Sequence, residues 1–147
     1  MSNSELKDKI INSSLIFEEN GEIQSFYESH IISLEFKRGQ YVSDESGFED
    51  PTIEASIEFP NGDSPYVLDI RFSGCSSVKM EYFNYENTIE EASFTLEARG
   101  FYADKITPLP PFIRVEFGTP GYTVHVSFNC FEMEILGKRQ VLGPSYA

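Results

Sequence analysis

His30 and His125 are the two side chains whose ordinary titration lies near neutral pH. A hydrolytic triad would set such a histidine between a Ser or Cys nucleophile and a carboxylate. The sequence has no G-x-S-x-G, and neither Cys75 nor Cys130 stands in a recognisable catalytic setting. His125 falls on the polar side of an alternating segment, the place of a solvated or cross-strand-paired residue. His30 opens another segment just after Glu28. Paired carboxylates are a second chemistry. With 24 acids some must lie close together, but a glycosidase needs two that converge in a cleft lined by aromatic rings. The 13 Phe fall mostly on the predicted core side. Metal chemistry is no better marked. The run Asp44-Glu45-Ser46-Gly47-Phe48-Glu49-Asp50 is rich in carboxylates yet does not follow D-x-[DN]-x-[DN]-G. The cysteines lack the C-x-x-C pairing of a structural zinc site and read as small buried thiols. No Gly-rich loop offers a phosphate cradle. The residues thus predict no enzyme, no cofactor and no metal. A β-sandwich that binds or hydrolyses a small ligand or carbohydrate through its acids is the alternative.

The charge is the larger signal. Twenty-four acids against 11 bases leave a net charge of -13 on 147 residues. That excludes a nucleic-acid binder working through phosphate contacts, which needs a basic face. It also disfavours an anionic membrane surface. Between Arg38 and Arg71 there is no Lys or Arg, and Asp44, Glu45, Glu49, Asp50, Glu54, Glu58, Asp63 and Asp69 fill the gap. A second gap, from Lys79 to Arg99, holds Glu81, Glu86, Glu90, Glu91 and Glu97. A solvated face is one reading of such runs. A surface complementary to a basic partner is the other, since it speeds association roughly 10- to 1,000-fold at low salt.

These acids need strands to carry them. Leu6, Ile10 and Ile11 sit at helical spacing and predict a short helix over about 3–13, with Ser4 as its N-cap. From residue 32 the period becomes two. Ile32-Leu34-Phe36, Ile53-Ala55-Ile57-Phe59, Leu68-Ile70-Phe72 and Val78-Met80-Tyr82 each alternate with polar residues. So do Phe94-Leu96-Ala98, Ile113-Val115-Phe117, Val124-Val126-Phe128 and Phe131-Met133-Ile135. Alternation of this kind means antiparallel sheet with one buried and one wet face. Pro60-Asn61-Gly62-Asp63, Ser73-Gly74-Cys75-Ser76 and Gly118-Thr119-Pro120-Gly121 supply turns, and 38–52 reads as a polar loop or tip. Pro108-Leu109-Pro110-Pro111 is an extended connector. The prediction is a single mainly β (α+β) domain over 1–147. It is an antiparallel meander sandwich or curled sheet of about eight strands, with the N-terminal helix packed on it. Glu54, Glu58 and Asp69 should project from its outer face and repel one another. Tyr27, Tyr41, Tyr66, Tyr85 and Tyr102 should stand off the core as exposed anchors.

Several of these segments resemble one bacterial family. Phe26-Tyr27-Glu28-Ser29-His30 leads into the first strand, Phe72-Ser73-Gly74 closes another, and Val78 to Tyr82 runs into Phe83-Asn84-Tyr85-Glu86-Asn87. This order, with the late segment Val124 to Ile135, resembles the Immunity protein 50 family over residues 23–136. Tyr27 and Glu28 stand where that family has His and Asp. The resemblance implies a protein that neutralises the C-terminal domain of a polymorphic or contact-dependent toxin, with no catalytic residues. Without the resemblance, Asn84 and Asn87 are turn-capping side chains.

Charge and resemblance together predict a cytoplasmic, monomeric immunity protein. With no apolar leader after Met1 and no long apolar run, the sequence predicts a cytosolic chain. The partner would be a basic toxin domain, a nuclease being the natural case, blocked by stoichiometric occlusion. The expected contact residues are Asp44, Glu45, Glu49, Asp50, Glu54, Glu58 and Tyr66, with Glu86 and Glu90 as a second patch.

Overall fold

The structure is a computed structural model that describes residues 3–45, 47–121 and 123–141. It opens with a short helix, α1 (Asn3–Asp8). The described residues form twelve strands: β1 (Ile10–Ile11), β2 (Ser29–Lys37), β3 (Tyr41–Ser43), β4 (Gly47–Phe48), β5 (Thr52–Phe59), β6 (Tyr66–Ser73), β7 (Ser76–Glu81), β8 (Thr88–Ile89), β9 (Ala92–Glu97), β10 (Phe112–Phe117), β11 (His125–Cys130) and β12 (Glu132–Gln140). The eight long strands are the eight alternating segments of the sequence.

They assemble into two sheets face to face. The larger has the order β1-β12-β6-β5-β2-β8, the smaller β7-β11-β10-β9. The chain is not a plain meander. After β6 it crosses to the smaller sheet, where β7 pairs with β11, and β12 then returns to lie beside β6. Gly74 and Cys75, whose amides both donate to the Pro51 carbonyl, make that first crossing. One continuous core lies between the sheets, with Ile53, Ile57, Leu68, Ile70 and Phe72 facing Ile113, Val115, Phe117, Val126 and Phe128. Phe72 ties the layers together by edge-on contacts with Phe117 and Phe128 at 6.5 and 4.8 Å.

The predicted helix over 3–13 is cut short. Ile10 and Ile11 pair in parallel with Met133 and Glu134 instead of continuing the helix. Leu6 and Ile10 are buried either way, so their spacing did not separate the two outcomes. Asn12, in the left-handed region at φ 63°, then turns the chain and donates its side-chain amide to the Ile135 carbonyl. Ser4 lies inside α1 rather than at its cap. The predicted tip over 38–52 contains the β3–β4 hairpin. Three alternating segments are less buried than their pattern implied. A bulge between Ile31 and Ser33 throws Ile32 outward, β7 is an edge strand that leaves Val78 and Met80 partly exposed, and Phe131 sits in the bend before β12.

Candidate functional site

Four of the nine predicted contact residues come together on the β3–β4 hairpin. Tyr41 pairs with Phe48 and Ser43 with Gly47, which puts Asp44 and Glu45 at the tip and Glu49 and Asp50 on the return arm. The base is closed by the Glu49 amide, which donates to the Gln40 carbonyl at 2.8 Å. Gly39 permits that closure. It has φ +91°, and a Cβ there would stand 2.2 Å from the Glu49 carbonyl oxygen. The Tyr41 and Phe48 rings meet edge-on at 5.6 Å, with the Arg38 guanidinium 5.6 Å from the Phe48 ring. The Tyr41 hydroxyl donates to the Asp44 carboxylate, and this bond raises the tyrosine pKa above its usual value. Tyr41, Val42 and Phe48 remain 55%, 53% and 59% exposed. A small apolar patch is therefore held on a two-stranded arm of its own, with four carboxylates in the same hairpin.

The outer face of the large sheet differs from the expectation. Glu54 is met by Arg71 at 3.4 Å and by Lys37 at 3.9 Å, and Arg71 also reaches Glu134 at 3.5 Å. Asp69 accepts from Ser56 at 2.6 Å and from Arg139 at 2.9 Å. Burial alone would raise the Asp69 pKa, but the bonds from Arg139 and Ser56, with the Arg139 charge, lower it overall. The predicted repulsion between neighbouring strands is offset, because the bases missing from the linear stretch arrive from β2, β6 and β12. Glu54 is thus internally neutralised rather than free.

Glu58 is a further correction, being 8% exposed rather than projecting into water. It pairs across β2 with His30 and lines a cleft of about 490 Å³ together with Ile31, Ile32, Tyr85, Glu86 and Asn87. His30 is oriented there by its Nδ1, which lies 2.9 Å from the Glu86 carbonyl and 3.1 Å from Thr88 Oγ1. Glu86 and Glu90 do not make one patch. Glu86 belongs to the Glu58 cleft, whereas Glu90 borders a separate hollow with Glu91, Tyr27 and Phe94. Tyr66 is not an exposed anchor. It stacks on Phe59 at 4.9 Å, accepts from Gln24 at 2.7 Å and carries Lys138 over its ring at 4.7 Å. Tyr27, Tyr41, Tyr85 and Tyr102 are exposed as expected.

Sequence reasoning missed the surroundings of His125. It is 2% exposed, wedged between Glu116 at 3.2 Å from Nε2 and Glu81 at 3.3 Å from Nδ1. It is cross-strand paired, as the alternation allowed, but sealed from solvent and out of a substrate's reach. It links β7, β10 and β11. Asn84 and Asn87 close their turn with reciprocal bonds, the Asn84 and Asn87 amides each donating to the other's side-chain oxygen at 2.8 and 2.9 Å. Both cysteines are free and buried, and burial pushes the Cys75 thiol up to about 12. Among the described residues no group of three or more His, Cys, Asp or Glu is arranged to hold a metal ion. No described helix is long and apolar enough to cross a membrane.

No protein-family model, curated protein or solved structure matches the chain.

Proposed function

We propose that this chain is a binding protein of the immunity type, which neutralises a basic toxin domain in the cytoplasm by one-to-one occlusion. A nuclease is the natural target, because a protein that grips a phosphate backbone must present a basic surface. The observation that carries the reading is the hairpin. Asp44, Glu45, Glu49 and Asp50 accompany the exposed Tyr41, Val42 and Phe48 on a two-stranded arm that belongs to neither main sheet. The carboxylates supply long-range attraction, and the aromatic pair supplies the desolvated contact in which binding energy concentrates. Glu54 and Tyr66 drop out of the interface, since one is neutralised by Arg71 and Lys37 and the other packs on Phe59.

The test is association of the purified chain with the C-terminal region encoded by the open reading frame immediately upstream. Calorimetry should give one-to-one binding. Stopped-flow rates should fall at least about tenfold between low and high salt. Neutralising the hairpin with Asp44→Asn, Glu45→Gln, Glu49→Gln and Asp50→Asn should slow association at low salt and flatten that dependence. An unchanged rate would remove the hairpin from the interface.

A further inference from the structure

We infer that the free edge of β2 is a second docking element, which takes an extended segment of a basic partner whose residues alternate between basic and apolar. The inference rests on the binding reading above and deepens it. Its starting point is a gap in the sheet. Beyond His30 and Ile31 the outer edge of β2 has no strand beside it among the described residues, because β8 pairs only with Ser29 and His30. Asn87 satisfies Ile31, its carbonyl accepting from the Ile31 amide at 3.1 Å and its side-chain amide donating to the Ile31 carbonyl. The edge from Ile32 to Lys37 then runs open for roughly 20 Å at the usual strand rise. Ile32 and Phe36 on it are 52% and 48% exposed. An open edge of that length with exposed apolar side chains is a template for another strand.

The two sides of this edge differ in chemistry. On the outer side lies the Glu58 cleft. Glu58 is more than nine-tenths buried and lines the cleft, and among the described residues its carboxylate has no ion pair or hydrogen bond, while Glu54 and Asp69, the other acids of β5 and β6, have a basic or hydroxyl partner. Glu86 stands on the cleft rim, engaged by the Tyr85 hydroxyl, and the acid in this contact raises the tyrosine pKa. A carboxylate that opens into a cleft beside a second acid, with no base among the described residues to meet it, is complementary to a cationic donor, and an Arg or Lys side chain supplies one. On the inner side lies an apolar groove of about 310 Å³, where Leu34 faces Met80 and Phe83 across the open flank of the sandwich. Ile31 and Ile32 border both hollows. A strand laid along β2 sends successive side chains to opposite faces. Its basic residues would enter the Glu58 cleft and its apolar residues the groove. A second copy of this chain is disfavoured as occupant, since each copy carries a net charge of -13 and would bring carboxylates rather than bases.

The probe is a blocked ten-residue peptide of alternating Arg and Val, titrated into the full ¹⁵N-labelled chain. Controls are a Glu–Val peptide and an Arg–Val peptide N-methylated on alternate amides so that neither edge can pair. The expected result is saturable shifts confined to residues 30–37, Glu58, Met80 and residues 83–87, absent with either control. Glu58→Gln should weaken the Arg–Val peptide about tenfold, the loss of one charge-assisted hydrogen bond. Met80→Ser, on the exposed flank, should weaken it without disturbing the remaining spectrum. Equal binding of the Glu–Val or N-methylated peptide would overturn the inference. So would full-strength binding to Glu58→Gln, shifts confined to the hairpin, no binding of the Arg–Val peptide, or a concentration-dependent dimer mapped to β2. The peptide reads the edge without the toxin, so edge binding with no toxin association would refute only the immunity reading. Toxin association with an inert edge would refute only this inference.

Discussion

Replacing Gly39 or Gly118 with alanine makes the same chemical change at two turns and should have opposite consequences. Both glycines have positive φ, +91° and +82°. In each, an added Cβ would fall within 2.2 or 1.9 Å of a backbone carbonyl oxygen, that of Glu49 or of Val124. The left-handed conformation costs an alanine roughly 1–2 kcal/mol. Relieving a backbone overlap of this size adds roughly 1–3 kcal/mol. Gly118 begins the β10–β11 turn, and its amide donates to the Glu91 carbonyl at 2.7 Å, so the strain enters the core sheet. At about 2–4 °C per kcal/mol for a chain of this size, Gly118→Ala should lower Tm by about 10 °C. Gly39 closes a two-stranded hairpin, and such a hairpin alone is barely stable. The hairpin should open instead of straining the sandwich, leaving Tm within about 2 °C of wild type. Calorimetry measures the first quantity. Hydrogen exchange at residues 40–49, which should lose protection only in Gly39→Ala, measures the second. If Gly39→Ala lowered Tm as far as Gly118→Ala, or left the hairpin amides protected, the hairpin would not be a separate arm.

Phe72→Ala should cost about 3–5 kcal/mol in urea denaturation, because the ring is fully buried between Phe117 and Phe128; a loss under about 1 kcal/mol would mean that the sheets do not meet there. Asp69 has a folded pKa below its usual 3.8, so its contribution is present above that value and lost as pH falls through the folded pKa. The stability gap between wild type and Asp69→Asn should therefore be about 0.5–1 kcal/mol at neutral pH and close as the carboxylate is protonated in acid, a size set by the solvent-exposed Arg139 partner. A gap that persists in acid would contradict the pairing. Cys75 and Cys130 should resist a thiol reagent until the protein unfolds, since both are buried and burial raises both pKa values; prompt labelling of the native chain would show one to be accessible.

The strands were legible because period-two alternation reports a one-sided sheet directly. Their neighbours were not, because alternation does not say which strand pairs with which. Nothing in Val78 to Met80 marks β7 as an edge, and nothing in Glu132 to Gln140 marks the return to β6. The same limit governed the candidate site. The acids of 44–50 lie within one hairpin, so local sequence sufficed to group them. The gap between Arg38 and Arg71 looked like an uncompensated face, yet Lys37, Arg71 and Arg139 close it from three strands. Glu58 and His125 both followed the polar phase of their strands, and burial then came from side chains distant in sequence. Glu58 shares a cleft with the 85–87 turn, and His125 lies between Glu81 and Glu116.

The most direct test of the central claim is a growth assay in which the C-terminal region of the upstream open reading frame is induced with and without this chain. The account predicts arrest without it, recovery with the wild type, and loss of recovery with the four-fold neutralised hairpin at equal expression. Lys105→Ala, on the exposed stretch between β9 and β10, should protect like the wild type. Arrest that the wild-type chain does not relieve, an upstream product without toxicity, or full protection by the neutralised hairpin would contradict it.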